Sequence, residues 1–99
     1  MAELFNRAKM TTSSTGTGTL TLGSVVAGFQ TFAQAGVTNG DTVRYVIEDG
    51  VNFEIGVGVY TASGTTLSRG NVSESTSSDS EINLSGNATV SITATSLDI

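Results

Sequence analysis

The sequence predicts an all-β domain: a compact sandwich or small barrel of about six to eight short antiparallel strands, with one short helical turn near residues 31–36. Three observations carry this. Apolar residues alternate with polar ones over short runs, as at Val43, Tyr45, Ile47 and again at Val51, Phe53, Ile55, Val57, Val59, which is the period of a half-buried strand. Nearly a third of the chain is Ser or Thr, and Thr, Val and Ile suit a pleated surface. Glycine turn signals, Asn39-Gly40, Asp49-Gly50, Ser63-Gly64 and Ser85-Gly86, punctuate the runs.

Residues 1–16 read as an N-terminal arm ahead of a single β domain over 17–99. "MAELFNRAKM" places Leu4 and Ala8 on one face of a helical turn, whereas "TTSSTGTG" has no strong period, so an extended docking segment is expected. In "TLTLG", Leu20 and Leu22 face inward and Gly23 punctuates. Thr31 followed by Gln34 matches a capping box, and Gly36 suits the left-handed C′ position, so "TFAQAGV" holds little more than one helical turn. "TNGD" over 38–41 is a turn. The next two runs form a hairpin. A two-residue Asp49-Gly50 turn would split the apolar faces, whereas a Glu48-Asp49-Gly50 loop pairs Ile47 with Val51, Tyr45 with Phe53 and Val43 with Ile55, and sets Arg44 opposite Glu54. Phe53 is then core, and Glu48, Asp49 and Glu54 are solvated. A second turn at 62–64 sets Val59 opposite Leu67. Parity changes between Leu67 and Val72, which places a bulge near Arg69-Gly70. Residues 73–81 read as an exposed loop. A third hairpin around Ser85-Gly86-Asn87 pairs Leu84 with Ala88 and Ile82 with Val90.

The chain has 99 residues, enough for one domain that buries roughly two thirds of its surface. It has no cysteine and no histidine, which leaves no disulfide framework, no thiolate zinc site and no imidazole base. Nine acids against four bases give a net charge of −5, unfavourable for a phosphate backbone as partner. Two of the bases, Arg7 and Lys9, sit in the arm. No run reaches the length of a membrane span, and Met1 to Met10 lacks the basic-then-apolar order of a signal peptide. No nucleic-acid or membrane partner is expected.

Candidate chemistry is sparse. "GTGTLTLG" has Thr21 where a dinucleotide fingerprint needs its third glycine, and no Gly-Lys-Ser/Thr follows. Glu74, Asp79 and Glu81 offer hard oxygen ligands but lack EF-hand spacing. Glu48, Asp49 and Glu54 resemble a carboxylate pair only in proximity along the chain. No nucleophile elbow accompanies the many serines. Of the three Asn-x-Ser/Thr sequons, at Asn71, Asn83 and Asn87, about two are expected by chance in so Ser/Thr-rich a chain, and without a signal peptide they carry no weight. A non-enzymatic protein without cofactor or metal is expected.

Asn6-Arg7, "GTGTLTLG", "GFQTFAQAG", "NGDTVRY", "IEDG" and "YTASGTTLSR" together resemble a module of virion proteins of tailed bacteriophages, over about residues 6–69, with a looser "INLSG" echo later. In that module the position of Phe53 is more often tryptophan. The module occurs alone and at the front of longer tail or fibre proteins. The resemblance implies a structural virion component, here a capsid decoration or cement protein docked on the major capsid protein or other virion subunits. It further implies a homo-oligomer, a trimer among the options, on the particle surface after assembly in the host cytoplasm. A small tail, baseplate or fibre adaptor is the alternative, and a carbohydrate-binding module is the alternative from another class. The expected docking arm comprises Leu4, Phe5, Arg7, Lys9 and Met10, apolar residues flanking two cations, so a chain beginning at Thr11 is expected to fold but to attach weakly.

Overall fold

In the computed structural model, residues 7–69 and 71–93 are described. Nine strands and one helical turn follow in order: β1 Lys9–Thr12, β2 Thr15–Gly16, β3 Leu20–Val25, α1 Phe32–Ala35, β4 Thr42–Asp49, β5 Asn52–Thr61, β6 Thr66–Leu67, β7 Asn71–Ser75, β8 Leu84–Ser85 and β9 Ala88–Ile92. The sheet runs β4-β9-β1-β3-β6-β5, and β5 pairs back onto β4, so six antiparallel strands close a barrel. Closure removes the sheet edges that an open meander would expose. β7 continues the sheet from β5, and β2 with β8 makes a separate two-stranded ribbon.

The barrel interior is filled by Leu20, Phe32, Val43, Tyr45, Ile47 and Leu67, each fully buried. Leu20 and Leu22 point inward as their alternation predicts. α1 carries its expected capping box: the Thr31 hydroxyl accepts from the Gln34 N–H at 3.0 Å, and the Gln34 side chain accepts from the Thr31 N–H at 2.9 Å. Gly36 ends the turn at φ 106°. The turn at 38–41 is closed by the Asp41 carboxylate, which accepts from the Thr38 N–H at 2.8 Å. The bulge near Arg69 is also present. β5 pairs Tyr60 with Leu67 but Val57 with Asn71, so four steps on one segment answer three on the other.

Five expectations are corrected. The β4–β5 hairpin turns at Gly50-Val51, pairing Asp49 with Asn52, Glu48 with Phe53, Ile47 with Glu54 and Tyr45 with Gly56. Gly50 alone of the two turn residues has positive φ, 63°, as a type II′ turn requires at its first position. Arg44 therefore faces Val57, not Glu54, and Phe53 lies outside the core. Val59 gives way to Tyr60 as the partner of Leu67, because the β5–β6 loop has four residues, Ala62 to Thr65. The third hairpin is absent: β8 pairs with β2, while β9 lies between β1 and β4, although Ile82, Leu84, Ala88 and Val90 are all buried as expected. Residues 73–75 belong to β7 rather than to a loop.

The fifth correction concerns the arm. β1 pairs with β9 on one side and β3 on the other, so Lys9–Thr12 is an interior barrel strand. Ala8, Met10 and Thr12 are buried in the core. The domain thus starts well before residue 17, and Met10 is a packing residue. Leu4 and Phe5 lie outside the described residues.

Candidate functional site

The carboxylates that looked like an acid pair in sequence separate in space. Glu54 points into the barrel and is fully buried, and its partner is Arg69 rather than Arg44. The Arg69 Nη2 donates to Glu54 Oε1, and Nε donates to Oε2 at 3.1 Å. The Tyr45 hydroxyl donates to Oε2 at 2.6 Å, and the Ile82 N–H donates to Oε1 at 2.9 Å. Arg69 also donates from Nη1 to the carbonyls of Gly16 and Gly18, and from Nη2 to that of Ile82. All five guanidinium N–H groups are thereby used. Burial pushes the Glu54 carboxyl up, but the bonds from Arg69, Tyr45 and Ile82 outweigh it and hold the group below its ordinary value. Burial, reinforced by the bond to Glu54, pushes the Tyr45 phenol far above its ordinary range. The cluster is saturated and enclosed, a structural tie joining β4, β5, the β6–β7 connection, Ile82 and the Gly16–Gly18 loop. The glycine run that loosely resembled a nucleotide loop is a carbonyl cradle for Arg69.

Glu48 and Asp49 are used elsewhere. Glu48 lies 3.4 Å from the Lys9 ammonium on the barrel exterior. Asp49 accepts from both the N–H and the hydroxyl of Ser85 at 2.8 Å, pinning the hairpin tip to β8. In the acidic stretch, Asp79 accepts from the Ser75 N–H. Among the described residues no three carboxylates converge where a metal ion could be held.

The register places the regular apolar alternation of β5 on the outside. Inward positions are Glu54, Gly56, Gly58 and Tyr60, and the outward ones are Phe53, Ile55, Val57 and Val59. The two glycines explain the choice. A Cβ on Gly56 would lie 2.7 Å from the Tyr45 hydroxyl oxygen, and one on Gly58 would lie 2.2 Å from the Ser68 carbonyl oxygen. Tyr45 and the β6–β7 connection occupy the space that side chains at these two positions would need. The apolar positions are left facing outward, with Val51 at the tip 93% exposed, Val59 43% and Phe53 37%. Cross-strand on β4, half-buried Val46 joins Ile55, flanked by Arg44 opposite Val57 and Glu48 opposite Phe53. β7 sets Glu74 beside Ile55 and Asn71 beside Val57. The result is an apolar stripe along the barrel exterior, with Glu48 and Glu74 exposed beside it and Arg44 buried, 6% exposed. A contiguous apolar patch with a polar rim is the signature of a contact surface.

The expected docking residues are otherwise engaged. The Arg7 guanidinium donates to the Gly28 carbonyl and lies 4.2 Å over the Phe29 ring; Lys9 approaches the same ring at 5.2 Å. Arg7 and Lys9 thus meet over the Phe29 ring, whereas Met10 is buried in the core. Sequence reasoning missed the β5 face because it placed those valines in the core. The available signal was Glu54, Gly56 and Gly58 at alternate positions, since glycine inside a strand marks close approach of another group.

No family model, curated protein or solved structure matches the chain.

Proposed function

We propose that the protein is a non-enzymatic structural component of a bacteriophage virion, a capsid decoration or cement subunit that joins its neighbours through the outward face of β5. The observation that carries this reading is the apolar stripe Val51, Phe53, Ile55, Val57, Val59 on a barrel whose interior is already filled. A stripe of this length costs solvation in an isolated molecule and is stabilising only when another surface covers it. The resemblance of residues 6–69 to the phage virion module supplies the setting. Support also comes from Glu54, a buried carboxyl held below its ordinary value, which is sealed behind four structural bonds and has no open face toward a substrate. A sugar-binding platform would need several exposed rings side by side, whereas Phe53 stands on the β5 face between Val51 and Ile55 and Phe29 lies beneath Arg7.

Phe53→Asp tests the proposal. The variant is expected to keep the fold, since the ring is outside the core, and to re-decorate particles stripped of the native protein at no more than a tenth of wild-type occupancy, a loss of about 1.4 kcal/mol or more. Wild-type occupancy by this variant would remove the face from the attachment. Density for the chain on the tail rather than the head of an intact particle would favour the adaptor reading.

A further inference from the structure

We infer that Arg7, held in place on the Phe29 ring, is a carboxylate clamp for an acidic peptide segment of a partner protein. The charge distribution along the chain leads to this residue. Residues 10–40 contain no Asp, Glu, Lys or Arg, whereas residues 41–93 carry seven acids against Arg44 and Arg69. Those two arginines are buried, 6% and 8% exposed. Among the described residues, the cations left to meet a partner are therefore Arg7 and Lys9, and both approach the Phe29 ring. Backbone bonds fix the ring beside them. The Gln30 N–H donates to the Arg7 carbonyl at 2.7 Å, the Lys9 N–H to that of Gln30 at 3.0 Å, and the Val26 N–H to that of Lys9 at 3.0 Å. β1 lies three strands from β5 by either route round the six-stranded ring, so a clamp at the start of β1 is separate from the apolar stripe.

The donors left on Arg7 specify the ligand. Its Nε and Nη2 both donate to the Gly28 carbonyl, at 3.2 and 2.8 Å, and the guanidinium carbon stands 4.2 Å from the centre of the Phe29 ring. The planar fork places one Nη2 N–H beside Nε–H and the other beside an Nη1 N–H. Gly28 closes the first edge. The Nη1–Nη2 edge keeps two parallel N–H groups, and among the described residues nothing accepts from them. Two parallel donors match the two oxygens of one carboxylate. Arg7 is exposed, so this edge is within reach of a second molecule. The ring and the Gly28 bonds hold the guanidinium beforehand, which lowers the ordering cost of binding. Lys9 adds little net charge, because Glu48 lies 3.4 Å from its ammonium. One arginine is too little for a polyanion: nucleic acids and anionic membranes are held by several cations, and the −5 of the chain repels both. A single carboxylate on a protein meets neither obstacle. Val25 and Ala27, both exposed in the segment leading to Gly28, give the flanking residues of such a peptide an apolar surface. This inference rests neither on the β5 face nor on the identity of the particle.

The test titrates the whole, isotope-labelled chain with a probe of stated composition, an end-blocked tetrapeptide of leucine, two glutamates and leucine. The Arg7 Nε–H signal and the Phe29 ring signals in NMR spectra are expected to shift saturably, with a dissociation constant in the millimolar range. The same peptide with glutamine in place of glutamate is expected to bind at least about tenfold more weakly, since it cannot supply the charged acceptor. Arg7→Gln is expected to lose the acidic peptide to the same extent, and so is Arg7→Lys, which keeps the charge but not the fork. Phe29→Leu, which removes the ring but leaves Arg7, is expected to weaken binding severalfold. The two peptide titrations use the unmodified chain, so they decide the matter even where a variant fails to fold. Equal binding of the two peptides, no saturable shift at Arg7, or full binding by Arg7→Lys would overturn the inference. Tighter binding of inorganic phosphate than of the acidic peptide would overturn it as well.

Discussion

At the scale of single residues, the Glu54–Arg69 pair decides most. Removing one partner leaves the other charged and buried, which costs about 3–5 kcal/mol, whereas replacing both with apolar residues of similar volume is often close to neutral. Arg69→Met alone is therefore expected to lower the unfolding free energy by about 3–5 kcal/mol, and the double variant Glu54→Leu with Arg69→Met to recover at least half of that loss, both read from urea titrations. The same cluster sets the pH dependence. The folded Glu54 carboxyl lies below its ordinary value of 4.5, so the stability it supplies is complete above that pH and is lost as pH falls through the folded value. Tyr45 is held neutral in the fold, while the unfolded chain ionises near its ordinary value of 10.0, so stability declines again as pH rises beyond that point. Thermal melts across pH are expected to show both limbs. Glu54→Gln should flatten the acid limb and Tyr45→Phe the alkaline one, relative to the unmodified protein.

At the scale of elements, the glycines of β5 explain why the strand shows its apolar side to solvent. Gly58→Ala would drive a Cβ into the Ser68 carbonyl, a backbone atom that cannot swing away, and is expected to cost at least about 3 kcal/mol. Gly18→Ala meets nothing within 4 Å and is expected to stay within about 0.5 kcal/mol of the unmodified protein. Phe53→Ala, read from sequence as a core deletion, is instead expected to cost about 1 kcal/mol, because the ring is a third exposed on the outer face. The same strand shows what was legible. Capping, the turn at 38–41 and the inward leucines of β3 depend on neighbours a few residues away, and sequence reasoning found them. The β4–β5 register depends on where Arg69 and Tyr45 end up, and both meet Glu54 through contacts distant in sequence. Parity alone favoured gathering every apolar residue on one face. The barrel instead needed Glu54, Gly56 and Gly58 inside.

At the scale of the molecule, the closed barrel makes the two ends of the described chain part of one structure. β1 and β9 are adjacent, with Lys9 paired to Ser91 and the Ile92 N–H donating to the Ala8 carbonyl. A segment that looked like a detachable arm, because no apolar period continued through it, fills the gap between β9 and β3. Four residues are too short to show a period, and closure could not be read from them. The consequence is a sharp test by truncation. A chain beginning at Thr11 loses Ala8, Lys9 and Met10, and with them half of β1, two buried side chains and the sulfur that accepts from the Phe32 N–H. Deleting Met10 alone removes a core side chain of the kind whose loss costs about 2–5 kcal/mol, and the opened barrel exposes the flanking edges of β3 and β9 besides. That total is comparable with the whole stability of a small domain. The truncated chain is therefore expected to lack a cooperative thermal transition in circular dichroism. A chain beginning at Arg7 keeps every described strand and is expected to unfold cooperatively. Cooperative unfolding of the Thr11 form at near the full-length midpoint would show that β1 is dispensable and that the barrel holds without it.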